Sequence, residues 1–270
     1  MSDKYALGHT SGELRRLATQ AKLIDPITDR FFRDAGLAKG MRVLDVGSGA
    51  GDVAMLAARI VGDSGAVVGT DKAEAAVGVA RLRVRENGFH NITFVEGDPA
   101  EMTFEQPFDA VVGRYVLQFL PDPARSLAKL SRHLRSGGLM VFHELDWQGA
   151  RSSPPAPAYD QCCKWCAETI KRLGAETSMG VKLASIFSAA GLTAPNLRLE
   201  AIIGAGSQCA DVVHLVTDLV ATLAPDMERL GVAAIAEIDL SNLFERVSAK
   251  VIAKGSTLIG RSEIGAWTRV

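Results

Sequence analysis

Cysteine is scarce in this chain, and positive and negative charge are balanced. Four cysteines in 270 residues provide no disulfide framework. Lys and Arg number 30 against 31 Asp and Glu, a formal net charge of -1, so no strong field attracts nucleic acid or an anionic membrane. These features argue against a small disulfide-stabilised protein and against a basic nucleic-acid-binding protein.

Long apolar runs are also missing. Residues 1–5 lack the apolar stretch of a signal peptide, and no run approaches about 20 uninterrupted apolar residues. We therefore expect a cytoplasmic protein without membrane insertion. The hydrophobic content of 47% still suffices for a substantial core, and the length favours one domain with an insertion.

Candidate metal ligands are not grouped at useful spacings. Cys163 and Cys166 have the separation of a zinc or redox pair, but no second pair completes a site, and the five His are scattered. We interpret residues 159–173 as one helix whose cysteines are small packing residues. No metal site is expected.

The most informative segment is 43–52, VLDVGSGAGD, in which an apolar run is followed by alternating glycines. This pattern predicts a strand, a tight turn that lets a ligand approach the backbone, and the start of a helix. The spacing differs from the Gly-x-Gly-x-x-Gly of dinucleotide-binding folds, because Asp52 stands where the third glycine would be. Asp45 and Asp52 flank the turn and favour a ligand with positive charge. Asp71, 20 residues after Gly51, has the position of a ribose-hydroxyl acceptor.

Strand and helix patterns alternate from residue 41 to about 146, which predicts a mostly parallel, doubly wound sheet covered on both faces. Strands are predicted near 42–46, 66–70, 92–96, 108–113 and 138–145, and helices near 52–61, 73–87 and 123–135. A sixth strand near 196–204 and a final strand at the end of the chain give seven. In such sheets the ligand lies beyond the carboxyl ends of the strands, where Asp45, Asp71, Asp98 and Arg114 all fall.

These residues resemble the class I S-adenosylmethionine-dependent methyltransferases, in particular the branch similar to ubiquinone/menaquinone C-methyltransferases and bacterial small-molecule methyltransferases. Residues 44–51 resemble the family's first motif, Asp71 its ribose-binding acid, and Gly97 with Asp98 its adenine-edge motif. Segments 108–114 and 134–139 resemble its fourth strand and the turn into its fifth. The resemblance implies the Rossmann-like class I fold, with an inserted helical cap.

The cofactor that the resemblance implies is S-adenosyl-L-methionine, with S-adenosyl-L-homocysteine as its product. An N-terminal segment of the family folds over this cofactor, which adds residues from the first helix to the expected site. The expected cofactor-binding residues are Asp45, Gly47, Ser48, Gly49, Asp71, Lys72, Gly97, Asp98, Pro99, Arg114, Tyr115, Arg16 and Gln20.

Candidates for chemistry lie in the run 142–147, FHELDW, at the same edge of the predicted sheet. Strand alternation places Glu144 and Asp146 on one face and His143 on the other. Glu144 or His143 is predicted to act as a base or an electrostatic stabiliser, and Tyr5 is predicted to help close the site. The alternative is that this cluster only anchors the cap through hydrogen bonds.

The segments after residue 150 are predicted to form the cap. Residues 151–157, rich in Pro and Ser, are interpreted as a linker, with helices near 158–174, 180–190, 210–223 and 235–254. The predicted divisions are a helical lid, a cofactor-binding core, a first cap segment, core strands six and seven, and a second cap segment. Their ranges are 1–36, 37–150, 151–195, 196–206 with 256–270, and 207–255.

The predicted activity is methyl transfer to a carbon, oxygen or nitrogen of an apolar or aromatic small molecule, such as a quinone, isoprenoid, indole or polyketide, in the biosynthesis of a specialised metabolite. The expected partner is this acceptor, nucleic acid is not expected, and a homodimer is left open. One alternative is a non-catalytic regulator that binds S-adenosylmethionine. An NAD(P)-dependent oxidoreductase is disfavoured by the glycine spacing and by the lack of a Tyr-x-x-x-Lys pair.

Overall fold

The computed structural model describes residues 11–270, with side chains described from Gln20 onward. The described residues divide into two compact units. One comprises Ile24–Glu144, Met179–Leu199 and Ile264–Val270 and is called the sheet unit here. The other, called the helical unit, comprises Leu145–Ser178, Glu200–Glu263 and the described residues up to Leu23.

Strands and helices alternate through the first half of the described chain. The strands are β1 Arg42–Val46, β2 Ala66–Asp71, β3 Ile92–Glu96, β4 Phe108–Arg114, β5 Leu134–Asp146, β6 Arg151–Ser153, β7 Asn196–Glu200, β8 Ile203–Ala205, β9 Thr257–Ile259 and β10 Ser262–Arg269. The helices are α1 Ser11–Ala35, α2 Asp52–Val61, α3 Glu74–Glu86, α4 Pro123–Leu130, α5 Pro157–Arg172, α6 Met179–Ala189, α7 Ala210–Arg229, α8 Ile235–Ile238 and α9 Leu243–Lys254.

The main sheet has seven strands in the order β3-β2-β1-β4-β5-β10-β7. β1 pairs in parallel with both β2 and β4, β2 pairs in parallel with β3, and β4 pairs in parallel with β5. The strand order therefore reverses between β1 and β4, which is the topological switch point where ligands bind in open α/β sheets. The predicted seven-stranded, mostly parallel sheet is confirmed.

The last strand, β10, pairs with β5 and lies between β5 and the edge strand β7. The Val270 amide donates to the Gly138 carbonyl at 2.9 Å, and the Gly137 amide donates to the Val270 carbonyl at 2.6 Å. Because β10 ends where β5 begins, these two strands run in opposite directions. A parallel sheet thus gains one strand that needs no crossover helix.

Hydrophobic clusters pack on both faces of the sheet. Val43 belongs to the cluster that includes α2 and α3, whereas Leu44 belongs to the cluster that includes α6. Successive side chains of a strand point to opposite faces, so a strand covered on both sides must be apolar throughout. This explains why the neighbouring residues Val43 and Leu44 of β1 are both apolar.

Three predicted boundaries were wrong. Residues 151–157 are not only a linker, because β6 lies there; it pairs with β9 alone, and an edge strand tolerates the Pro that follows it. The predicted strand 196–204 is two strands, β7 in the main sheet and β8 in a second sheet of order β6-β9-β8. The predicted helix 235–254 breaks at Asp239, whose φ of 49° is left-handed and ends α8.

The cysteines of the helical unit are packing residues. Cys162, Cys163 and Cys166 lie buried on α5, and Cys209 is buried before α7; all four are free thiols. Burial raises the pKa of Cys163 to about 12 and that of Cys162 to about 11, so neither is an activated nucleophile. From residue 11 to 270, no helix is both long and apolar enough to cross a membrane.

Two glycines provide a matched test of packing in the sheet unit. A Cβ on Gly69 of β2 would stand 2.6 Å from the Phe94 ring and 3.1 Å from Ser48 Oγ, whereas one on Gly78 of α3 would meet no atom within 4 Å. We expect Gly69→Ala to lower the free energy of unfolding by about 1–3 kcal/mol through overpacking.

Gly78→Ala is the control, and it should raise the free energy of unfolding by about 0.5–1 kcal/mol because Ala has the higher helix propensity. Urea denaturation of both variants checks the pair. Equal effects of the two substitutions would contradict the predicted close packing around Gly69.

Candidate functional site

The turn between β1 and α2 carries glycines for two different reasons. Gly47, Gly49 and Gly51 have φ values of 63°, 51° and 89°, a left-handed conformation that other residues adopt only at a cost. A Cβ on Gly47 would stand 2.8 Å from Val116 Cγ2, so this glycine permits close packing. A Cβ on Gly49 would meet nothing within 4 Å, so this glycine leaves its backbone open to a ligand.

Asp45 ends the apolar part of β1 with a buried carboxyl group. It is 1% exposed, and neither carboxylate oxygen has a hydrogen-bond partner of good geometry among the described residues. Burial raises the pKa of Asp45 well above its ordinary value, and the charge of Asp71 adds to this shift, whereas the Arg114 charge and the Ala54 amide oppose it. A buried acid without a partner is a costly feature that a cationic ligand would relieve.

Asp71 ties the glycine turn to the end of β2. Its Oδ2 accepts from the Gly49 amide at 2.8 Å, and its Oδ1 accepts from the Ala73 amide at 2.9 Å. A carboxylate offers about four lone-pair sites, so Asp71 retains acceptor capacity for a pair of ribose hydroxyls.

The predicted adenine-edge residues gather next to Asp71. The Gly97 amide donates to the Asp71 carbonyl at 2.8 Å, which joins β2 to the turn after β3. Asp98 Oδ1 accepts from the Ala100 amide at 2.9 Å, and Lys72 Nζ lies 3.0 Å from Asp98 Oδ2. The structure therefore brings Lys72, Gly97 and Asp98 together at the same edge of the sheet, with Pro99 adjoining.

Arg114 ends β4 in a buried ion pair with α1. Its Nη1 donates to Asp25 Oδ1 at 2.7 Å and to Thr28 Oγ1 at 3.0 Å, and its side chain is 7% exposed. Burial works to lower the Arg114 pKa, but the ion pair and hydrogen bond with Asp25, together with Tyr115 and Asp52, outweigh it and the pKa is raised. Arg114 was predicted to bind the cofactor, and that role stays a prediction because its described hydrogen bonds go to α1.

Tyr115 and His143 lie against each other just beyond Arg114. Tyr115 is one of two non-glycine residues with positive φ in the described chain, at 58°, a strained conformation that is common at functional sites. Its amide donates to the His143 carbonyl at 2.9 Å, and the two rings are 5.3 Å apart. His143 Nδ1 lies 3.0 Å from Thr28 Oγ1.

Glu144 faces the loop that follows β4. It is fully buried, and its Oε1 accepts from the amides of Val116 and Leu117 at 2.8 and 2.7 Å. Asp146, two residues on, instead accepts from the Gln148 amide at 3.2 Å. Glu144 therefore orders the loop whose Val116 side chain packs on Gly47, and its predicted catalytic role remains untested.

The remaining predicted site residues are Tyr5, Arg16, Gln20 and Ser48. Tyr5 lies outside the described residues, as does the side chain of Arg16, while Gln20 is half-buried in the helical unit. Ser48 is buried, with its amide 2.8 Å from the Thr70 carbonyl. Across the described part of the chain, no group of three His, Cys, Asp or Glu side chains has the arrangement of a metal site.

Two participating residues, Asp25 and Thr28, were not predicted. Both lie on α1, one turn apart, and they reach Arg114, which is 86 or more residues away in the chain. A polar pair at helical spacing between the buried Ile24 and Phe31 is the only signal that the sequence carries for them.

Comparison with known proteins agrees with this geometry. A family model described as a methyltransferase domain matches residues 37–191, more than half of the chain. The demethylmenaquinone methyltransferase of Staphylococcus saprophyticus is 32% identical over 136 residues, which are 50% of this chain and 55% of that protein. The chain thus spans about half the length of the curated relatives it matches.

Solved structures with the same fold cover more of the chain. A candidate methyltransferase from Bacillus halodurans C-125 has a TM-score of 0.56 at 22% identity, covering 89% of this chain and 96% of its own. The cyclase SpnF has a TM-score of 0.56 at 20% identity, covering 91% of this chain and 81% of its own. At these identities, both structures show the fold alone.

Asp45→Asn tests whether the partnerless carboxylate is a ligand group. We expect about ten- to hundredfold weaker binding of S-adenosylhomocysteine, measured by titration calorimetry, because a charged hydrogen bond contributes about 1.5–3 kcal/mol. Without ligand, the raised pKa means that the stability associated with the protonated Asp45 carboxyl is present below about pH 3.9 and is lost as pH rises through the folded-state pKa. The variant should therefore gain stability relative to the wild type as pH rises.

Asp109→Asn, at the opposite end of the strands, is the matched control. Hydrogen bonds from the Arg42 amide and Arg135 outweigh burial and lower the Asp109 pKa, so its stabilisation is present above about pH 3.9 and is lost as pH falls. This control should lose stability at neutral pH and keep its affinity. Unchanged affinity in Asp45→Asn would contradict the assignment.

Proposed function

This chain belongs to the class I S-adenosylmethionine-dependent methyltransferases, and we propose that it transfers a methyl group to a carbon, oxygen or nitrogen of an apolar or aromatic small molecule. The family match confirms the predicted family and, with it, S-adenosylmethionine as cofactor. The acceptor and the biosynthetic role are the proposed part.

The structural observation that supports the cofactor site, on which the proposal depends, is the position of Asp45 and Asp71 on either side of the open Gly49 turn. Asp45 is a buried carboxyl without a good partner, and Asp71 fixes the turn while keeping acceptor capacity. This arrangement fits a nucleoside with a cationic tail better than the pyrophosphate of a dinucleotide, which two nearby acids would repel.

Different residues would bind different parts of this cofactor. Asp45 would bind its cationic amino-acid tail, Asp71 its ribose hydroxyls, and Asp98 with Lys72 would border its adenine. When bound, the cofactor supplies a methyl group activated by the sulfonium centre. The protein then contributes alignment, exclusion of water and, for some acceptors, removal of a proton.

His143 is the residue that we assign to proton removal. Its ring is fixed on three sides, by Thr28 at Nδ1, by the edge contact of Phe31 at 4.9 Å and by Tyr115. Glu144 Oε1 is engaged by two backbone amides, which supports a positioning role in the loop after β4. Tyr5 stays a prediction for closing the site.

A quinone-like aromatic is the acceptor class with most support. Curated relatives that match this chain at 32–33% identity include the demethylmenaquinone methyltransferases of Staphylococcus saprophyticus and Staphylococcus aureus, so we place a quinone before an isoprenoid, an indole or a polyketide. This acceptor class rests on a match to about half of the length of those relatives.

Two measurements test the function. Titration calorimetry with S-adenosylhomocysteine and with NADH should show binding of the first, and binding of NADH alone would overturn the proposal. Labelled S-adenosylmethionine, incubated with the protein and a panel of quinols, isoprenoids, indoles and polyketides, should label an aromatic acceptor. Binding of S-adenosylhomocysteine without transfer to any acceptor would overturn the catalytic assignment in favour of a regulator.

His143→Asn and Glu144→Gln separate the two candidate bases. Asn keeps a donor near the Nδ1 position and removes the ring nitrogen Nε2, so we expect kcat to fall about 100-fold or more with little change in affinity for S-adenosylhomocysteine. Gln keeps an oxygen for the Val116 and Leu117 amides, so we expect kcat within about tenfold of the wild type.

Steady-state kinetics on the labelled acceptor measure both effects. Glu144→Ala is the control for the loop, because it removes both amide contacts and should weaken cofactor binding as well. A large loss of kcat in Glu144→Gln at unchanged affinity would transfer the role of base to Glu144.

A further inference from the structure

The glycine turn after β1 is held from one side by α3. Arg83 of this helix donates from Nη1 to the Ala50 carbonyl oxygen and from Nη2 to Asp52 Oδ1, both at 2.7 Å. The Arg83 side chain is 27% exposed and that of Asp52 14%, so solvent screens the ion pair only in part. One guanidinium therefore contacts the first and the last residue of the segment 50–52.

The middle residue of this segment packs on the same helix. A Cβ on Gly51 would stand 3.3 Å from Ala80 Cβ and 3.1 Å from the Phe94 ring. Ala80 is buried on α3, and Arg83 follows it by three residues, which places both on one side of the helix. Three consecutive residues of the turn are thus fixed by α3 through a hydrogen bond, close packing and an ion pair.

The neighbouring peptide of the turn is held from β2. Asp71 Oδ2 accepts from the Gly49 amide at 2.8 Å, whereas Arg83 binds the carbonyl oxygen of the next residue, Ala50. Gly49 is the residue whose backbone is open to a ligand, because a Cβ there would meet nothing within 4 Å. Side chains of two different elements therefore hold the backbone on both sides of the open position.

Arg83 also decides which acid beside the turn can meet a ligand. On sequence alone, Asp45 and Asp52 both flank the turn and favour a cationic group. In the structure an Asp52 oxygen is engaged by Arg83, which makes that pair neutral. Neither carboxylate oxygen of Asp45 has a hydrogen-bond partner of good geometry among the described residues. Asp45 is therefore the acid of the two that is left for a positively charged group.

We propose that Arg83 is a positioning residue that fixes the cofactor-binding turn and withdraws Asp52 from ligand binding. Hydrogen bonds from a charged donor are stronger than neutral ones, and the fixed fork of a guanidinium can form two at once. The ligand named here rests on the proposed function, whereas the contacts of Arg83 with the turn do not.

Hydrogen exchange of the full chain, followed by NMR without ligand, tests the contact with the turn. The Gly51 amide donates to the Ser48 carbonyl oxygen inside the turn, and the Gly40 amide donates to the Val61 carbonyl oxygen at the other end of α2. In Arg83→Met we expect Gly51 to exchange about tenfold faster or more, with Gly40 within about twofold of the wild type. An unchanged Gly51 rate would overturn the proposal whether or not a cofactor binds.

Titration calorimetry with S-adenosylhomocysteine tests the consequence for the cofactor. Arg83→Met keeps a long side chain and removes both donors, so we expect affinity to fall about tenfold or more. Arg83→Lys keeps the charge without the fork and should lose less. Arg81→Met is the matched control, because Arg81 lies on the same helix but donates to the Phe94 carbonyl oxygen of β3 at 2.8 Å.

Affinity in Arg81→Met should stay within about twofold of the wild type, since no contact with the turn is lost. Equal losses in Arg81→Met and Arg83→Met, or no loss in Arg83→Met, would overturn the positioning role. A wild-type protein that does not bind S-adenosylhomocysteine would instead contradict the proposed function, and the exchange rates would still decide whether Arg83 fixes the turn.

Asp52→Asn separates the two acids that flank the turn. Asn keeps an oxygen that can accept from Arg83 and loses the charge, so we expect affinity for S-adenosylhomocysteine within about threefold of the wild type. Asp45→Asn, the same change at the acid without a good partner, is expected to weaken binding by about ten- to hundredfold. A loss in Asp52→Asn as large as that in Asp45→Asn would overturn the withdrawal of Asp52 from ligand binding.

Discussion

Parallel pairing of β1 with both β2 and β4 is the constraint on which the site depends. It places the carboxyl ends of neighbouring strands at one edge of the sheet, so residues distant in sequence become adjacent. Asp45, Asp71 and Arg114 meet there because each is at or near the end of its strand. The register thus decides which side chains share the site, and the glycine turn decides what can reach them.

Burying charged groups at one edge of a sheet costs free energy of desolvation. Arg114 and Asp45 differ in how far their neighbours offset that cost. Arg114 receives a carboxylate and a hydroxyl from α1, which satisfy its charge and two of its hydrogen-bonding positions. Asp45 receives the attraction of Arg114 and a weak contact from the Ala54 amide, and burial still raises its pKa. Arg114 is therefore part of a structural ion pair, whereas Asp45, a buried carboxyl without a good hydrogen-bond partner, is a candidate ligand group.

The parts of the site that sequence could predict are those set by local rules. Alternating glycines, the acid that ends β2 and the strand periodicity each depend on a few consecutive residues, and the structure places them as expected. Asp25 and Thr28 could not be predicted, because their roles depend on how α1 packs against strand ends 86–115 residues away. The break between β7 and β8 was missed for a similar reason: pairing in a second sheet sets it, and apolar pattern does not.

His143 and Glu144 show how one strand assigns different tasks to neighbouring residues. Because their side chains leave opposite faces of β5, His143 meets Thr28 of α1 and Glu144 meets the amides of the loop after β4. The Glu144 oxygen that accepts two amide hydrogen bonds orders that loop, and the His143 ring instead lies beside the Thr28 hydroxyl. Neighbouring residues of one strand thus connect the sheet to two different elements, and α1 contributes to the region around the strand ends through Thr28.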